Sequence, residues 1–247
     1  MRRPIVLAAV SLLLVVGITP IQTAAQDGYF FRPPQGTLAF RVGGSVPNAS
    51  SDIFQFFTRE LELNKRDFAA ISVGAELGVR VLPQLDIVFT GSFAQSSNPS
   101  EFRHWTDTDD LPIEQVTELR TIPVTAGLKY YLTSRGRSLS RFAWVPTKFA
   151  PYVGAAAGVI WYDLDQDGDF VDFETLEVFP AHLSSDGAAP VVQALAGADW
   201  WIAPRFGLNL DARYSFGSAK LGNDFSDVVD KINLSGFQLM TGLTVRF

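Results

Sequence analysis

The sequence predicts an all-β protein, an eight-stranded antiparallel transmembrane β-barrel. Hydrophobic residues make up 47% of the chain, yet no apolar run reaches the ~20 residues of a membrane-spanning helix. Apolar and polar residues instead alternate with period two, in segments of about ten residues separated by turns. In each segment one face is continuously apolar, whereas the other is rich in Gly, Ser, Thr and charge. This pattern is typical of strands with one side in lipid.

The overall composition excludes several other classes of protein. The formal net charge is −6 with only 20 Lys and Arg, so the chain lacks the basic footprint of a nucleic-acid binder. The absence of cysteine excludes a disulfide framework, thiolate metal sites and a cysteine nucleophile. We therefore expect no nucleic-acid partner, and we expect a monomer surrounded by lipid.

The first 25 residues have the features of a cleaved signal peptide. Arg2 and Arg3 precede an apolar stretch over residues 5–18, and Thr23-Ala24-Ala25 supplies small residues before Gln26. The sequence thus predicts an exported chain with a signal peptide over 1–25. It further predicts a short periplasmic N-terminal segment over 26–35 and a barrel domain over 36–247.

The strands follow one another in order along the barrel domain. Pro83 separates the second strand from the third, and a tight turn there would set Arg80 opposite Asp86 as a favourable cross-strand pair. A second short turn is expected at Ala203-Pro204-Arg205. The eight segments are expected near 36–46, 71–81, 85–93, 122–132, 153–161, 192–202, 208–216 and 237–247.

Charged residues on the polar face distinguish a membrane barrel from a soluble one. A soluble barrel has an apolar interior, whereas these nearly balanced charges are better placed in a self-neutralising lumen. They could line a narrow conductive path, but an eight-stranded interior is only wide enough to be filled by side chains, which favours a packed salt-bridge network. The predicted lumen charges are Arg41, Glu76, Arg80, Asp86, Lys129, Asp199, Asp211, Arg213 and Arg246.

The connections predict the orientation of the barrel. Outer-membrane barrels have short periplasmic turns and long extracellular loops. The short joins at Pro83 and Pro204 and both termini are therefore expected in the periplasm, with long outward loops at 47–66, 97–112, 164–188 and 218–231. Residues 133–148 are an exception, because this periplasmic join is long and basic. We interpret it as an interfacial flap near anionic headgroups, with a solvated turn as the alternative.

Aromatic side chains near the strand ends are typical of the girdles at membrane–water interfaces. We expect such interfacial positions for Trp161, Tyr162, Trp200, Trp201, Tyr214 and Phe216.

One acidic segment matches a calcium-binding template. Asp163, Asp165, Asp167 and Glu174 occupy positions 1, 3, 5 and 12 of the EF-hand loop pattern D-x-D-x-D-G-x5-E, with Gly168 at the sharp turn. The segment follows a strand rather than a helix, so an acidic solvated loop is the alternative. Calcium is the one cofactor that the sequence suggests.

The residue types of a serine hydrolase site are present in the sequence. His182 precedes Ser184, Ser185 and Asp186, and the other histidine is His104. Nucleophilic catalysis needs a histidine beside the serine and a third group that orients it, and proximity in sequence does not supply that geometry. We expect no enzymatic activity and assign no catalytic residue.

The signal peptide, the eight alternating strands and the closing Leu243-Thr-Val-Arg-Phe247 resemble the small outer-membrane barrels of the OmpA/OmpX type. The resemblance implies residence in the outer membrane. It also implies that Phe247, with Val245 and Leu243 in register, forms the signal that the barrel-assembly machinery reads. Full-length OmpA has a peptidoglycan-binding domain, and none is expected here.

The expected function is structural or interactional, through the extracellular loops. The first alternative is a narrow OmpW-like passage for small or hydrophobic solutes. The second alternative is an outer-membrane lipid hydrolase.

Overall fold

The computed structural model describes residues 30–106, 110–172, 175, 177–222 and 231–247. The predicted signal peptide lies outside these residues. Within them the strands are β1 (Gly36–Pro47), β2 (Ala70–Leu82), β3 (Leu85–Thr106), β4 (Pro112–Tyr131), β5 (Gly136–Ser140), β6 (Ala143–Pro146), β7 (Phe149–Val171), β8 (Val178–Trp201), β9 (Phe206–Lys220), β10 (Lys231–Asn233) and β11 (Gly236–Arg246), and one helix is α1 (Asp52–Glu60).

Eight of these strands close into a ring. The order around the ring is β1, β2, β3, β4, β7, β8, β9 and β11, and each neighbouring pair is antiparallel. The ring closes where β11 pairs with β1, from Thr37 opposite Arg246 to Pro47 opposite Gly236. The predicted eight-stranded barrel is confirmed, and each expected segment lies in one of these strands to within one residue at its end. The short β10 pairs with the end of β9.

The alternation of side chains puts apolar residues on the outside of the wall. On β1, Phe40 is 59% exposed whereas its neighbour Arg41 is 4% exposed. On β11, Leu243 is 64% exposed and Thr244 is 3% exposed. Because successive side chains of a strand point to opposite faces, the whole apolar stripe forms an outer belt.

Two ends of the barrel can be distinguished by their connections. The turn end carries the short joins at 83–84 and 202–205, and the loop end is the opposite one. Exposed aromatic rings edge the belt at both ends, as expected of girdles. At the turn end these are Phe149, Trp200, Phe206 and Phe247, and at the loop end they are Trp161, Phe216 and Phe237. The girdle prediction was wrong for Trp201 and Tyr162, which are buried inside the barrel because they occupy inward-facing positions.

Two strand pairs extend far beyond the belt at the loop end. β3 and β4 remain paired to Thr106 and Pro112, and β7 and β8 remain paired to Val171 and Val178. The predicted long loops at 97–112 and 164–188 are therefore mostly strand. Beyond Trp161 the outward positions of β7 are acidic, whereas its inward positions include Tyr162, Leu164 and Gln166. Such a wall is suited to water outside rather than lipid.

The join between β1 and β2 folds inward instead of outward. It contains α1, whose Ile53, Phe54 and Phe57 lie on one helical face and are at most 1% exposed. Asp52 in the first turn and Arg59 in the last turn suit the helix dipole. No helix in the described ranges is long and apolar enough to cross a membrane.

The join at residues 133–148 is a folded hairpin. β5 and β6 pair with each other in a separate two-stranded sheet. Phe30 and Trp144 connect this hairpin to the segment before β1 through two backbone hydrogen bonds of 2.9 and 2.8 Å. The segment is thus more than a plain turn, and its contact with headgroups stays a prediction.

Candidate functional site

Glu76 lies at the centre of the ion pairs inside the barrel. This carboxylate on β2 is 2% exposed, and it is contacted by cations from three other strands. The Nη2 atom of Arg41 on β1 lies 2.8 Å from its Oε1, while Lys129 on β4 and Arg213 on β9 also form ion pairs with it. Thr90 on β3 donates a hydrogen bond of 3.2 Å to Oε2. This one carboxylate on β2 therefore connects to β1, β3, β4 and β9.

A second group of carboxylates surrounds this centre. Asp211 forms an ion pair with Arg213 and accepts a hydrogen bond of 2.7 Å from the Tyr152 hydroxyl. Asn209 connects the two groups, because Arg41 Nε donates to its Oδ1 at 2.6 Å and its own amide donates to Asp199 at 2.6 Å. These contacts extend the network across β8 and β9.

The ion-pair ladder, defined as Arg41, Glu76, Lys129, Asp199, Asp211 and Arg213, is electrically balanced, with three cations and three carboxylates. All six side chains are at most 4% exposed. Charges so deeply buried are tolerated only when they are paired and hydrogen-bonded, and removing one partner leaves the others uncompensated. The ladder therefore fills and rigidifies the interior in the turn-end half of the barrel.

Asp86 is neutralised by a residue other than its expected partner. The strand register does place Arg80 directly opposite Asp86. The ion pair of Asp86, however, is formed with Arg135, whose Nη1 lies 2.7 Å from Oδ2. Arg135 also lies over the Tyr131 ring, with 4.4 Å from Cζ to the ring centroid. Arg80 instead donates to the Pro83 carbonyl at 3.2 Å and remains half-buried.

Aromatic rings surround the last lumen charge, Arg246. Its Cζ lies 3.8 Å from the ring centroid of Trp201, and the rings of Phe30 and Trp144 lie at 5.4 and 5.7 Å. The Arg246 Nε donates to the Pro204 carbonyl. Trp144 is 4% exposed, so the hairpin of β5 and β6 packs against the turn end of the barrel over Arg246.

The structure puts eight of the nine predicted lumen charges in the buried interior, with Arg80 as the partly exposed one. Sequence reasoning missed Arg135, Tyr152 and Asn209, which complete the pairing. The alternation carried a signal for Tyr152 and Asn209, because both occupy inward-facing positions of strands whose outer faces are apolar. Nothing local marks Arg135, since it lies outside the eight strands of the ring.

The loop-end half of the interior contains a large apolar cluster beside buried polar residues such as Gln115, Thr117 and Gln166. The apolar plug consists of the buried face of α1 and the side chains that pack around it. Phe54 and Phe68 meet edge-on with 4.9 Å between ring centroids, and Phe57 stacks on Phe68 at 6.1 Å. Inward-facing residues of β3, β4, β7 and β8 complete the plug together with residues at and after β10, namely Phe102, Ile113, Leu119, Ile160, Tyr162, Leu164, Val191, Ile232 and Leu234.

A cavity of about 50 Å³ lies between the apolar plug and the ion-pair ladder. It reaches the wall beside Pro123, an inward-facing residue of β4. Between Gly91 opposite Val124 and Ala94 opposite Thr121, the paired register of β3 and β4 skips two residues on each strand. Proline has no N–H to donate to a neighbouring strand, which accounts for the interrupted pairing of β3 and β4 at this place. The lining is apolar on one side and polar on the other, with Phe68, Leu119, Ile160, Ser92, Thr121 and Gln238.

The predicted calcium ligands lie on an extended strand instead of a curled loop. Asp163, Asp165 and Asp167 occupy successive outward positions of β7. Asp163 forms an ion pair of 2.9 Å with Arg120, and the His182 ring lies within 4.0 Å of both Asp165 and Asp167. Glu174 is outside the described residues. In the described part of the chain, no group of three or more His, Asp or Glu side chains is placed to hold a metal ion. Calcium binding stays a prediction of the motif.

The residues considered for a hydrolase are divided between the two faces of β8. His182, Ser184 and Asp186 occupy successive outward positions, about 7 Å apart along the strand, whereas Ser185 points inward. The Ser185 hydroxyl contacts the Tyr162 hydroxyl at 3.2 Å and accepts a hydrogen bond from the backbone N–H of Gly222 at 2.7 Å. His182 and Ser185 therefore lie on opposite faces of the barrel wall.

The predicted assembly signal is on the outer face of the closing strand. Leu243 and Phe247 are each 64% exposed, and Val245 lies between them on the same face. The backbone N–H of Phe247 donates to the Gly36 carbonyl at 2.9 Å, so the end of the chain completes the ring. Recognition by an assembly machinery stays a prediction.

Comparison with known proteins finds similar architecture in several solved structures. Neisserial surface protein A shares 14% identity, covering 90% of this chain and 98% of that one, with a TM-score of 0.46. OprG from Pseudomonas aeruginosa shares 14% identity, covering 88% and 99%, with a TM-score of 0.49. Ail of Yersinia pestis shares 13% identity, covering 86% and 99%, with a TM-score of 0.42. No family model and no curated protein matches. The likeness is one of barrel architecture alone.

Proposed function

We propose that this protein is an outer-membrane barrel with a structural and surface-interaction role. The observation that carries the proposal is the filling of the interior at two levels, by the ion-pair ladder and by the apolar plug. A lumen occupied in this way serves to stabilise the barrel. The surface available to partners is then the wall of β3, β4, β7 and β8 beyond the belt.

The length of these extensions supports an exposed role. From Trp161 to Val171, β7 continues for ten residues past the girdle, or about 30 Å along the strand at roughly 3.3 Å per residue. Strands this long place a rigid surface well outside the membrane. With short turns in the periplasm, the loop end faces the exterior and the turn end faces the periplasm.

Two variants separate the structural role from the interaction role in cells. Replacing residues 167–182 with Asn-Gly joins Gln166 directly to Leu183, its partner in the register, through a two-residue turn. We expect this variant to restore detergent resistance to cells that lack the protein, but to lose adherence of intact cells to surfaces and to one another. Glu76→Ala should lose both properties. If deletion of the whole protein changes neither, the proposal is wrong.

The cavity beside Pro123 favours passage or binding of small hydrophobic solutes as a second candidate function. Its lining combines an apolar side with hydroxyl and amide groups, which suits a small amphiphile such as a short-chain alcohol. Ala94 lines the cavity, so Ala94→Phe would fill it. We expect saturable heat on titration with methanol, which is small enough for the cavity, absent in Ala94→Phe and retained in the outward-facing control Ala126→Phe. Equal heat in both variants would exclude the cavity as the site.

A further inference from the structure

Exposed charge at the turn end is entirely basic. The exposed charged side chains that the described residues place there are Arg32, Arg137, Arg141, Lys148 and Arg205. The nearby carboxylates Asp86 and Asp199 are buried and already have partners inside the barrel. The whole chain, by contrast, has a net charge of −6. The described side chains of the turn end thus present a positive surface on an acidic protein.

The hairpin of β5 and β6 holds part of this surface in a fixed position. Trp144 is buried and its backbone N–H donates to the Phe30 carbonyl at 2.8 Å. The ion pair between Arg135 and Asp86 fixes the start of the hairpin. At its end, the Trp201 N–H donates to the Lys148 carbonyl at 2.7 Å. The hairpin is therefore anchored at both ends and in the middle.

The tip of the hairpin combines apolar and basic side chains. Leu139 is 60% exposed and Phe142 is 64% exposed, with Arg137 and Arg141 beside them. The chain continues from the hairpin into Phe149, an exposed ring of the turn-end girdle. Exposed apolar side chains next to cations, continuous with a lipid-facing belt, are typical of a surface that lies in the headgroup region.

We propose that the β5–β6 hairpin binds anionic phospholipid headgroups of the leaflet at the turn end. Leu139 and Phe142 enter the boundary between headgroups and acyl chains. Arg137 and Arg141 bind lipid phosphates, since guanidinium groups form charge-assisted hydrogen bonds with phosphate oxygens. Lys148 and Arg205 extend the positive surface along the rim. This inference rests on the proposed residence in a membrane.

The absence of cysteine allows a direct test with one attached probe. A bimane label on Leu139→Cys reports contact with lipid through quenching by spin-labelled lipids in vesicles that mix phosphatidylcholine and phosphatidylglycerol. The spin label is placed near the headgroup of one lipid or of the other, in separate samples. Each basic residue near an anionic surface should favour the anionic lipid, on the order of fivefold. We expect stronger quenching by labelled phosphatidylglycerol, and a weaker preference in high salt.

Matched charge-removing variants distinguish the hairpin from the rest of the protein. Arg137→Gln with Arg141→Gln should abolish the preference for phosphatidylglycerol. Lys65→Gln with Arg66→Gln removes the same charge from the loop end, where both side chains are exposed, and should preserve it. Equal quenching by the two labelled lipids, or quenching by aqueous iodide alone, would overturn the inference.

A second label position separates this inference from the proposed function. Leu77 lies on the outer belt, 42% exposed, so bimane on Leu77→Cys should be quenched equally by both lipids when their spin label is on the acyl chain. Quenching at Leu77 without headgroup preference at Leu139 overturns the headgroup inference alone. Absence of lipid quenching at Leu77 overturns the membrane barrel, and the headgroup inference with it.

Discussion

Arg41 and Glu76 form a buried ion pair across β1 and β2, with 2.8 Å between Nη2 and Oε1. Both side chains are at most 4% exposed, and Glu76 also neutralises Lys129 and Arg213. Three buried cations thus meet at one carboxylate; Arg41 and Arg213 also pair with Asp211, whereas the ion pair of Lys129 is with Glu76 alone among the described residues. The interior of this barrel is accordingly a structural element, and its loss should affect the whole ring.

Removing the central carboxylate should strongly destabilise the barrel. We expect Glu76→Ala to lower the free energy of unfolding by about 3–5 kcal/mol, because it leaves buried cations uncompensated. The measurement is urea unfolding of the refolded protein in vesicles, followed by tryptophan fluorescence. Glu101→Gln, at an exposed position of β3, should change stability by less than about 0.5 kcal/mol. Equal stability of the two variants would contradict the role of the ladder.

The apolar plug should contribute through close packing. We expect Phe54→Ala to cost about 3–5 kcal/mol, because Phe54 is fully buried against Phe57 and Phe68. Phe56 on the same helix is only partly buried, so Phe56→Ala should cost clearly less. Urea unfolding again measures the two free energies of unfolding. A larger loss of stability for Phe56→Ala than for Phe54→Ala would show that α1 does not pack as described.

Arg135, rather than Arg80, should hold the hairpin of β5 and β6 at the turn end. We expect Arg135→Gln to raise the rate of cleavage by trypsin after Arg137 and Arg141, because the ion pair with Asp86 is lost. Arg80→Gln should leave that rate nearly unchanged, since Arg80 bonds to the Pro83 carbonyl and forms no ion pair with Asp86. If Arg80→Gln released the hairpin as readily, our assignment of the partner of Asp86 would fail.

Calcium titration should distinguish between two predictions: the sequence motif predicts calcium binding, whereas the extended strand geometry predicts none. In an extended strand, alternate residues are about 7 Å apart, too far for three carboxylates to surround one ion. The arrangement of Asp163, Asp165 and Asp167 therefore predicts no saturable heat with millimolar calcium. A saturable signal that disappears in Asp165→Asn would establish the motif as a site and require these residues to leave the strand.

Local periodicity is sufficient to predict the ring and its two faces. Residues such as Phe40 and Arg41 alternate in exposure because the strand itself alternates, and this information is present in any short window of sequence. The strand register at Pro83 is also determined by neighbouring residues, and Arg80 lies opposite Asp86 as expected.

Features that depend on distant parts of the chain could not be predicted in this way. The partner of Asp86 is Arg135, which is 49 residues away in sequence and reaches it only because β5 and β6 fold under the barrel. The inward position of α1 likewise depends on distant parts of the chain. Its apolar face packs with Phe102 and Ile113 from β3 and β4, in strand extensions that the sequence pattern does not distinguish from loop.

The central claim is that the filled interior blocks passage through the barrel. Single-channel recording of the purified protein in planar bilayers tests it most directly. We predict no discrete steady conductance for the intact chain, because the ion-pair ladder and the apolar plug both occupy the lumen. Stepwise openings of uniform size in the intact protein, absent from empty bilayers and from heat-unfolded protein, would contradict the claim.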